Sequence, residues 1–223
     1  MIFYRVIFMA RRLPVYLLID SSGSMAGEPI HAVNVGLSSL VAGLRQDPYA
    51  LESVALSIIT FSNTIEELFP LTPLESVQVP EITLPRSGAT HLGEALETLC
   101  QKVEKDVHKS TPTSKGDFRP MLFVLTDGKP SDLQLFEQMS VKIKQANFAA
   151  IVGCAAGPKA SSEFLQKMTN TVVTLDTMDS SAFSAFFKWV SDSIAAGSQS
   201  AGVSLSTSGG TLPPPPEEIQ LVL

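Results

Sequence analysis

Leu13-Pro-Val-Tyr-Leu-Leu-Ile19-Asp20-Ser-Ser-Gly-Ser24 is the stretch on which the reading of this chain turns. A nearly continuous apolar run ends abruptly in a carboxylate and several hydroxyls. An apolar run without alternation is the pattern of a strand covered on both faces, as in a parallel sheet. Asp20, Ser22 and Ser24 alternate, so a loop that curls brings one carboxylate and two hydroxyls toward one point. Gly23 and Gly27 permit the backbone turns that such curling needs.

Outward from this stretch, strand and helix patterns alternate. After Pro29, which suits a first helical turn, the positions Ile30, Val33, Leu37, Leu40, Val41 and Leu44 recur at helical spacing. That helix is expected to stop near Asp47-Pro48. Ser53 to Phe61 and Thr64 to Phe69 read as an antiparallel hairpin turning at Ser62-Asn63. Leu71 to Pro85 is expected to be mostly loop, because Pro73, Pro80 and Pro85 interrupt pairing. Leu92, Ala95, Leu96, Leu99 and Val103 mark a helix, Lys105 to Asp117 a polar loop, and Met121 to Thr126 a second buried strand. Ser131 and Gln134 have capping-box spacing for the helix after it. Phe148 to Cys154 and Thr171 to Leu175 complete the strands, with a short helix at Ser161 to Met168. Phe183, Phe186, Phe187, Trp189, Val190 and Ile194 form an amphipathic closing helix whose aromatic residues are expected to pack in the core.

Strands alternating with helices predict an α/β fold: a mostly parallel central sheet with one antiparallel edge strand and helices on both faces. In such sheets ligands bind beyond the carboxyl ends of the strands, where the strand order reverses. Residues 13–196 are expected to form this domain. Residues 1–12 are expected to be an extension or edge strand, and 197–223 a Gly/Ser- and Pro-rich tail, a linker whose last residues are amphipathic enough to dock. The opening apolar stretch precedes Arg11 and Arg12, the reverse of a signal peptide, and is too short to span a bilayer. A cytoplasmic location is the default expectation. Cys100 and Cys154 are too few for a disulfide framework and read as small buried residues.

The chain has 223 residues and a formal net charge of −6, which argues against a nucleic-acid partner, since phosphate binding draws on clustered Lys and Arg. An acidic ligand would need a local positive charge, and a metal ion supplies one. Thr126-Asp127-Gly128 places a second carboxylate after the second buried strand, and Ser87-Gly88-Ala89-Thr90-His91 offers a hydroxyl at a helix start. Alone, the first loop is an ordinary turn, Thr90 an N-cap and Asp127 a strand-ending turn. Together, Asp20, Ser22, Ser24, Thr90 and Asp127 make an all-oxygen set suited to a hard cation, Mg²⁺ or Mn²⁺ ahead of Ca²⁺, and not to zinc. Met25, Arg86, His91 and Lys129 are candidates for the rim, although Met25 should also cover apolar surface, His91 reads first as a plain helix-start histidine, and Arg86 and Lys129 read equally as solvated surface charges.

The set Asp20-x-Ser22-x-Ser24, Thr90 and Asp127 resembles the metal-ion-dependent adhesion site of von Willebrand factor A domains. The words Leu17 to Met25, Gly88 to Leu96 and Leu125 to Pro130 carry the likeness, which covers roughly Leu13 to Ile194. It implies a single Rossmann-like domain in which Ser22, Ser24 and Thr90 supply hydroxyls while Asp20 and Asp127 bind directly or through water. It further implies a protein partner that completes the metal shell with an Asp or Glu, and no membrane insertion. Asp127 to Asp132 and the Pro-rich ending are similar to bacterial TerY-type proteins linked to tellurium-compound resistance. Some of those carry a Cys-rich zinc extension, which is not carried over because no Cys follows Cys154. The rival reading is a Mg²⁺-dependent phosphoryl-transfer or hydrolytic enzyme with Asp20 as acceptor. Against it stand Ser22, where such enzymes usually offer a second acid, and the lack of a P-loop.

Overall fold

The computed structural model describes residues 11–84, 88–158, 160–202 and 212–222. The strands are β1 (Leu13–Asp20), β2 (Val54–Phe61), β3 (Ile65–Pro73), β4 (Met121–Thr126), β5 (Ala150–Ala156), β6 (Thr171–Leu175) and β7 (Gln220–Val222). They form one sheet in the order β3-β2-β1-β4-β5-β6-β7. Pairing is parallel from β2 through β6 and antiparallel at both ends, β2 with β3 and β6 with β7. The mostly parallel sheet is as expected; the second antiparallel edge comes from the C-terminal residues.

The helices are α1 (Glu28–Leu44), α2 (Pro48–Ser53), α3 (Leu92–Asp106), α4 (Leu133–Gln145), α5 (Ser162–Met168) and α6 (Ser180–Gly202). Strand β1 is buried at every position, and its side chains divide between two cores. Leu13, Val15, Leu17 and Ile19 pack with α1, α2 and α6, while Tyr16 and Leu18 pack with α3, α4 and α5. Phe183, Phe186, Phe187 and Trp189 are all buried, as their helical spacing predicts. Helices α1 and α6 approach so closely that a side chain at Gly36 would collide with the Phe187 ring. Among the described residues, no helix is long and apolar enough to cross a membrane.

Several local expectations are corrected. Helix α1 stops at Leu44, and Pro48 opens a new helix instead of only ending the old one. The Asp47 carboxylate caps α2 by accepting from the Ala50 N–H at 2.9 Å. Strand β3 runs on to Pro73, because an edge strand tolerates proline where no ladder bond is needed. Helix α6 continues to Gly202, past the point at which the composition turns to Gly and Ser. Cys154 is buried but Cys100 only half-buried. Residues 1–10 lie outside the described residues.

At the end of the sheet where the parallel strands begin, Arg12 holds Asp117 at 2.6 Å and also donates to the Asp106 carbonyl at 2.8 Å. Burial raises the pKa of Asp117, but its bonds from Arg12 and from the His108 N–H outweigh this and hold it below the usual carboxylate range. A lowered pKa means stability that is present above the unfolded value and lost as pH falls through the folded one. Arg12→Ala should therefore cost about 2–3 kcal/mol at pH 7, and progressively less below about pH 4. Urea unfolding of both proteins at several pH values measures this; an equal loss at all pH values would refute it.

Candidate metal centre

The strand order reverses at β1. The connection through α1 carries the chain to β2 on one side, and the connection from β3 through α3 carries it to β4 on the other. The crevice between the carboxyl ends of β1 and β4 is thus the binding position of this architecture. Asp20 is the last residue of β1, and Asp127 directly follows β4.

Asp20 is fully buried. Its Oδ1 accepts from the Ser22 N–H at 2.8 Å, and its Oδ2 accepts from the Thr126 hydroxyl at 2.6 Å. Loop Ser22–Ala26 makes a single 3-10 turn, so Ser22 and Ser24 face one way, with their Oγ atoms 3.0 Å apart. Ser24 in turn donates to Asp127 Oδ1 at 2.9 Å. Of the two glycines in this loop, Gly27 adopts the left-handed region, with φ of 88°, and Gly23 does not.

The third loop lies against the other two. A Cβ on Gly23 would stand 4.0 Å from the Gly88 nitrogen, and one on Gly128 would stand 3.4 Å from Thr90 Oγ1. All five expected site residues are therefore gathered at one end of the sheet. Thr90 is not the N-cap of α3; His91 holds that position, without a side-chain cap bond. His91 Nδ1 instead lies 3.3 Å from Glu94 Oε2, and the His91 backbone N–H donates to the Ser62 carbonyl at 2.9 Å. Lys129 is exposed, consistent with a rim position. Met25 is fully buried in the core, because the 3-10 turn points its side chain inward, so the rim expectation for it is corrected. Arg86 and Ser87 lie outside the described residues.

Ser131 does not form the capping box expected with Gln134; it and Asp132 bond to the Thr90 loop and the start of α3 instead. The Ser131 hydroxyl accepts from the Thr90 N–H at 3.1 Å, and the Ser131 N–H donates to the Thr90 carbonyl at 2.8 Å. The Asp132 carboxylate accepts from the Gly93 and Glu94 amides at 3.1 and 2.8 Å, capping α3 from across the crevice. Gly93 allows this approach, since a Cβ there would collide with the Phe136 nitrogen. These partners, and Thr126, escaped the sequence reading. The one signal for Ser131 and Asp132 was the polar run directly after Asp127.

Burial pushes the Asp20 pKa up to about 6; the bonds from Thr126 and Ser22 oppose the rise, and repulsion from Asp127 adds to it. Burial also raises Asp127, against the bond from Ser24. Among the described residues no lysine, arginine or histidine forms a salt bridge with either carboxylate. Nor do three His, Cys, Asp or Glu side chains gather anywhere among them, so a cation here would rely on hydroxyls beside the two carboxylates. Neighbouring vertices of an octahedron with 2.0–2.1 Å bonds are about 2.9 Å apart. The chain Ser22–Ser24–Asp127 has that spacing, now maintained by shared hydroxyl protons.

A switch-point crevice with an all-oxygen cluster defines a class of α/β binding domains. The chain belongs to the von Willebrand factor type A domain family, whose model matches residues 15–188. Among solved structures it is similar to VWA2, the ArnB paralog of Sulfolobus acidocaldarius, with 18% identity, 83% of this chain and 46% of that one covered, and a TM-score of 0.56. It is also similar to a von Willebrand factor type A protein from Catenulispora acidiphila (17% identity, 84% and 43% covered, TM-score 0.58). A third is proximal thread matrix protein 1 of the mussel byssus, in a structure with zinc in its MIDAS motif (15% identity, 82% and 48% covered, TM-score 0.54). The chain spans less than half the length of each of these proteins. No curated protein matches the sequence.

A buried group with a raised pKa contributes stability that is full below its unfolded value and declines as pH rises through the folded one. The rise from 3.8 to about 6 amounts to about 3 kcal/mol against the charged form. In EDTA, Asp20→Asn should raise the melting temperature at pH 7.5, and the gap should narrow to about a third by pH 4.5 and close only below the unfolded value of 3.8. Thermal unfolding at the two pH values tests this; a lower melting temperature for the variant at pH 7.5 would show that the charge is already compensated.

Proposed function

We propose that this chain is a metal-dependent protein-recognition domain, with Asp20, Ser22, Ser24, Thr90 and Asp127 holding one Mg²⁺ or Mn²⁺ and a partner's Asp or Glu completing the shell. One observation carries this reading: two uncompensated buried carboxylates meet a row of hydroxyls with octahedral spacing at the switch point of the sheet. The spacing favours a small cation over Ca²⁺, whose longer bonds would part the oxygens. The zinc-bound MIDAS motif of the mussel protein shows that zinc can enter such a motif, so zinc belongs among the ions compared.

When bound, the cation supplies a positive charge that hydroxyl ligands leave largely uncompensated, and hence an attraction for an anionic group. Asp20 works from beneath, fixed through both oxygens by Ser22 and Thr126. Ser22 and Ser24 turn their lone pairs outward once their protons are redirected. Ser131 and Asp132 keep Thr90 against the Asp127 turn. Recognition without catalysis is favoured over phosphoryl transfer because Asp20 is fully buried and both its oxygens already accept hydrogen bonds, which suits a group acting on the cation through water better than an open phosphoryl acceptor. The narrower placement among TerY-type proteins, with a cytoplasmic role in tellurite or stress resistance, rests on Asp127 to Asp132 and the Pro-rich ending. Its test is the tellurite tolerance of cells with and without the protein.

Calorimetry should find one site for Mg²⁺ or Mn²⁺, lost in Asp20→Ala while the variant keeps a cooperative thermal transition. Affinity should fall as pH drops through about 6, because protons compete for Asp20. No heat from any of Mg²⁺, Mn²⁺ or Zn²⁺ at millimolar concentration would end the proposal.

Partner capture should occur in Mg²⁺ and not in EDTA. Changing the partner's key carboxylate to the amide should weaken it at least tenfold. Equal affinity for acid and amide, with and without Mg²⁺, would place the binding surface elsewhere; turnover of phosphate esters that Asp20→Asn abolishes would favour the enzyme.

A further inference from the structure

The C-terminal residues 212–222 lie on the domain as a peptide ligand would. Residues Pro213 to Pro216 are consecutive prolines, whose fixed φ limits the freedom lost on docking. Trp189 of α6 donates its indole N–H to the Pro213 carbonyl at 2.9 Å. The chain turns at Pro216–Ile219, closed by the Ile219 N–H on the Pro216 carbonyl at 3.0 Å, and Ile219 drops its side chain into the core. Gln220 to Val222 then pair antiparallel with Val172 to Thr174 of β6, and Gln220 Nε2 donates to Asp176 Oδ2 at 3.0 Å.

This is a modular contact: one indole bond, one fully seated aliphatic anchor at Ile219, partly buried Leu212 and Val222 beside the two cores, and a three-residue ladder. Leu221 remains 46% exposed, so the strand itself buries little. The mode is strand addition to a sheet edge, in which backbone bonds provide attachment and one side-chain pocket provides selectivity. Without it, β6 would be an open edge and the Ile219 site an apolar hollow.

We propose that the cleft between β6 and Trp189 is a peptide-binding site, filled in cis by the chain's own C-terminal segment and able to accept the same segment from a second copy. The segment of a second copy is the occupant because the structure shows its chemistry seated there. Nine residues separate Gly202 from Leu212, a length that can span roughly 30 Å when extended. Reciprocal exchange would close a two-fold dimer with no new interface. The covalent link sets the balance, since the cis segment competes at a high effective concentration.

The test uses the full-length chain with a protease recognition sequence inserted between Gly202 and Leu212, cut after folding. The probe is a dye-labelled peptide of residues 212–222. Trp189, the single tryptophan, reports departure of the segment by its emission. We expect the cut protein to take up the peptide saturably, the uncut protein to take it up at least tenfold more weakly, and a peptide bearing Ile219→Asp not to bind. At high concentration the uncut chain should form a dimer by light scattering, and the Ile219→Asp chain should stay monomeric. Loss of the cooperative thermal transition on removal of the cut segment would make it part of the core and overturn the proposal. So would failure to exchange at millimolar peptide. Exchange with no dimer at any concentration would overturn the second copy as occupant and point to another protein's segment.

Discussion

The carboxylate of Asp20 is held without exposed surface at the end of an interior strand, and much of the surrounding structure accommodates it. Burial of a charge is costly, and what makes it tolerable is local: an amide two residues on and a hydroxyl from the neighbouring strand. Those bonds do not offset burial fully, as the raised pKa shows. The ladder from β1 to β4 sets the distance between Asp20 and Thr126, and the same ladder delivers Asp127 to the far side of the crevice. The site is thus an outcome of sheet register before it is an outcome of loop sequence.

The loops are locked to one another as well as to the sheet. Ser131 grips the backbone of Thr90 in both directions, and Asp132 spans to the first amides of α3. A helix start has free N–H groups that need acceptors, and here they are satisfied by the loop that carries Asp127. Moving either loop alone would leave those amides unpaired, so Thr90 and Asp127 are constrained to move as one body.

How far the sequence could be read depended on whether the deciding contact was local. The buried run of β1, the oxygen residues of the site and the amphipathic α6 follow from periodicity and from residue type. Asp47 was read with Pro48 as a stop, yet the same pair is a cap followed by a first-turn proline. Which of the two prevails depends on Ala50 finding a buried place. Met25 looked like a loop residue near the metal because nothing local shows that a 3-10 turn directs it inward. Ser131 and Gln134 had the spacing of a cap for their own helix, yet Ser131 and Asp132 serve a helix some 40 residues earlier. The pairing of β7 with β6 and of Arg12 with Asp117 is likewise long-range, and no window of sequence contains both partners.

The interior position of β1 has a consequence for the order in which this protein can be made. The first of the described strands lies inside the sheet, third in its order, and one of its two neighbours is β4. Asp20 and its hydroxyl partner on Thr126 are 106 residues apart. During synthesis, β1 can meet β2 and β3 early, but its other flank stays bare until more than half of the chain has emerged. Parallel ladders of such long separation form slowly, since a large loop must close before any contact rewards it. An apolar strand waiting with one open edge is the kind of surface that chaperones hold and aggregates exploit.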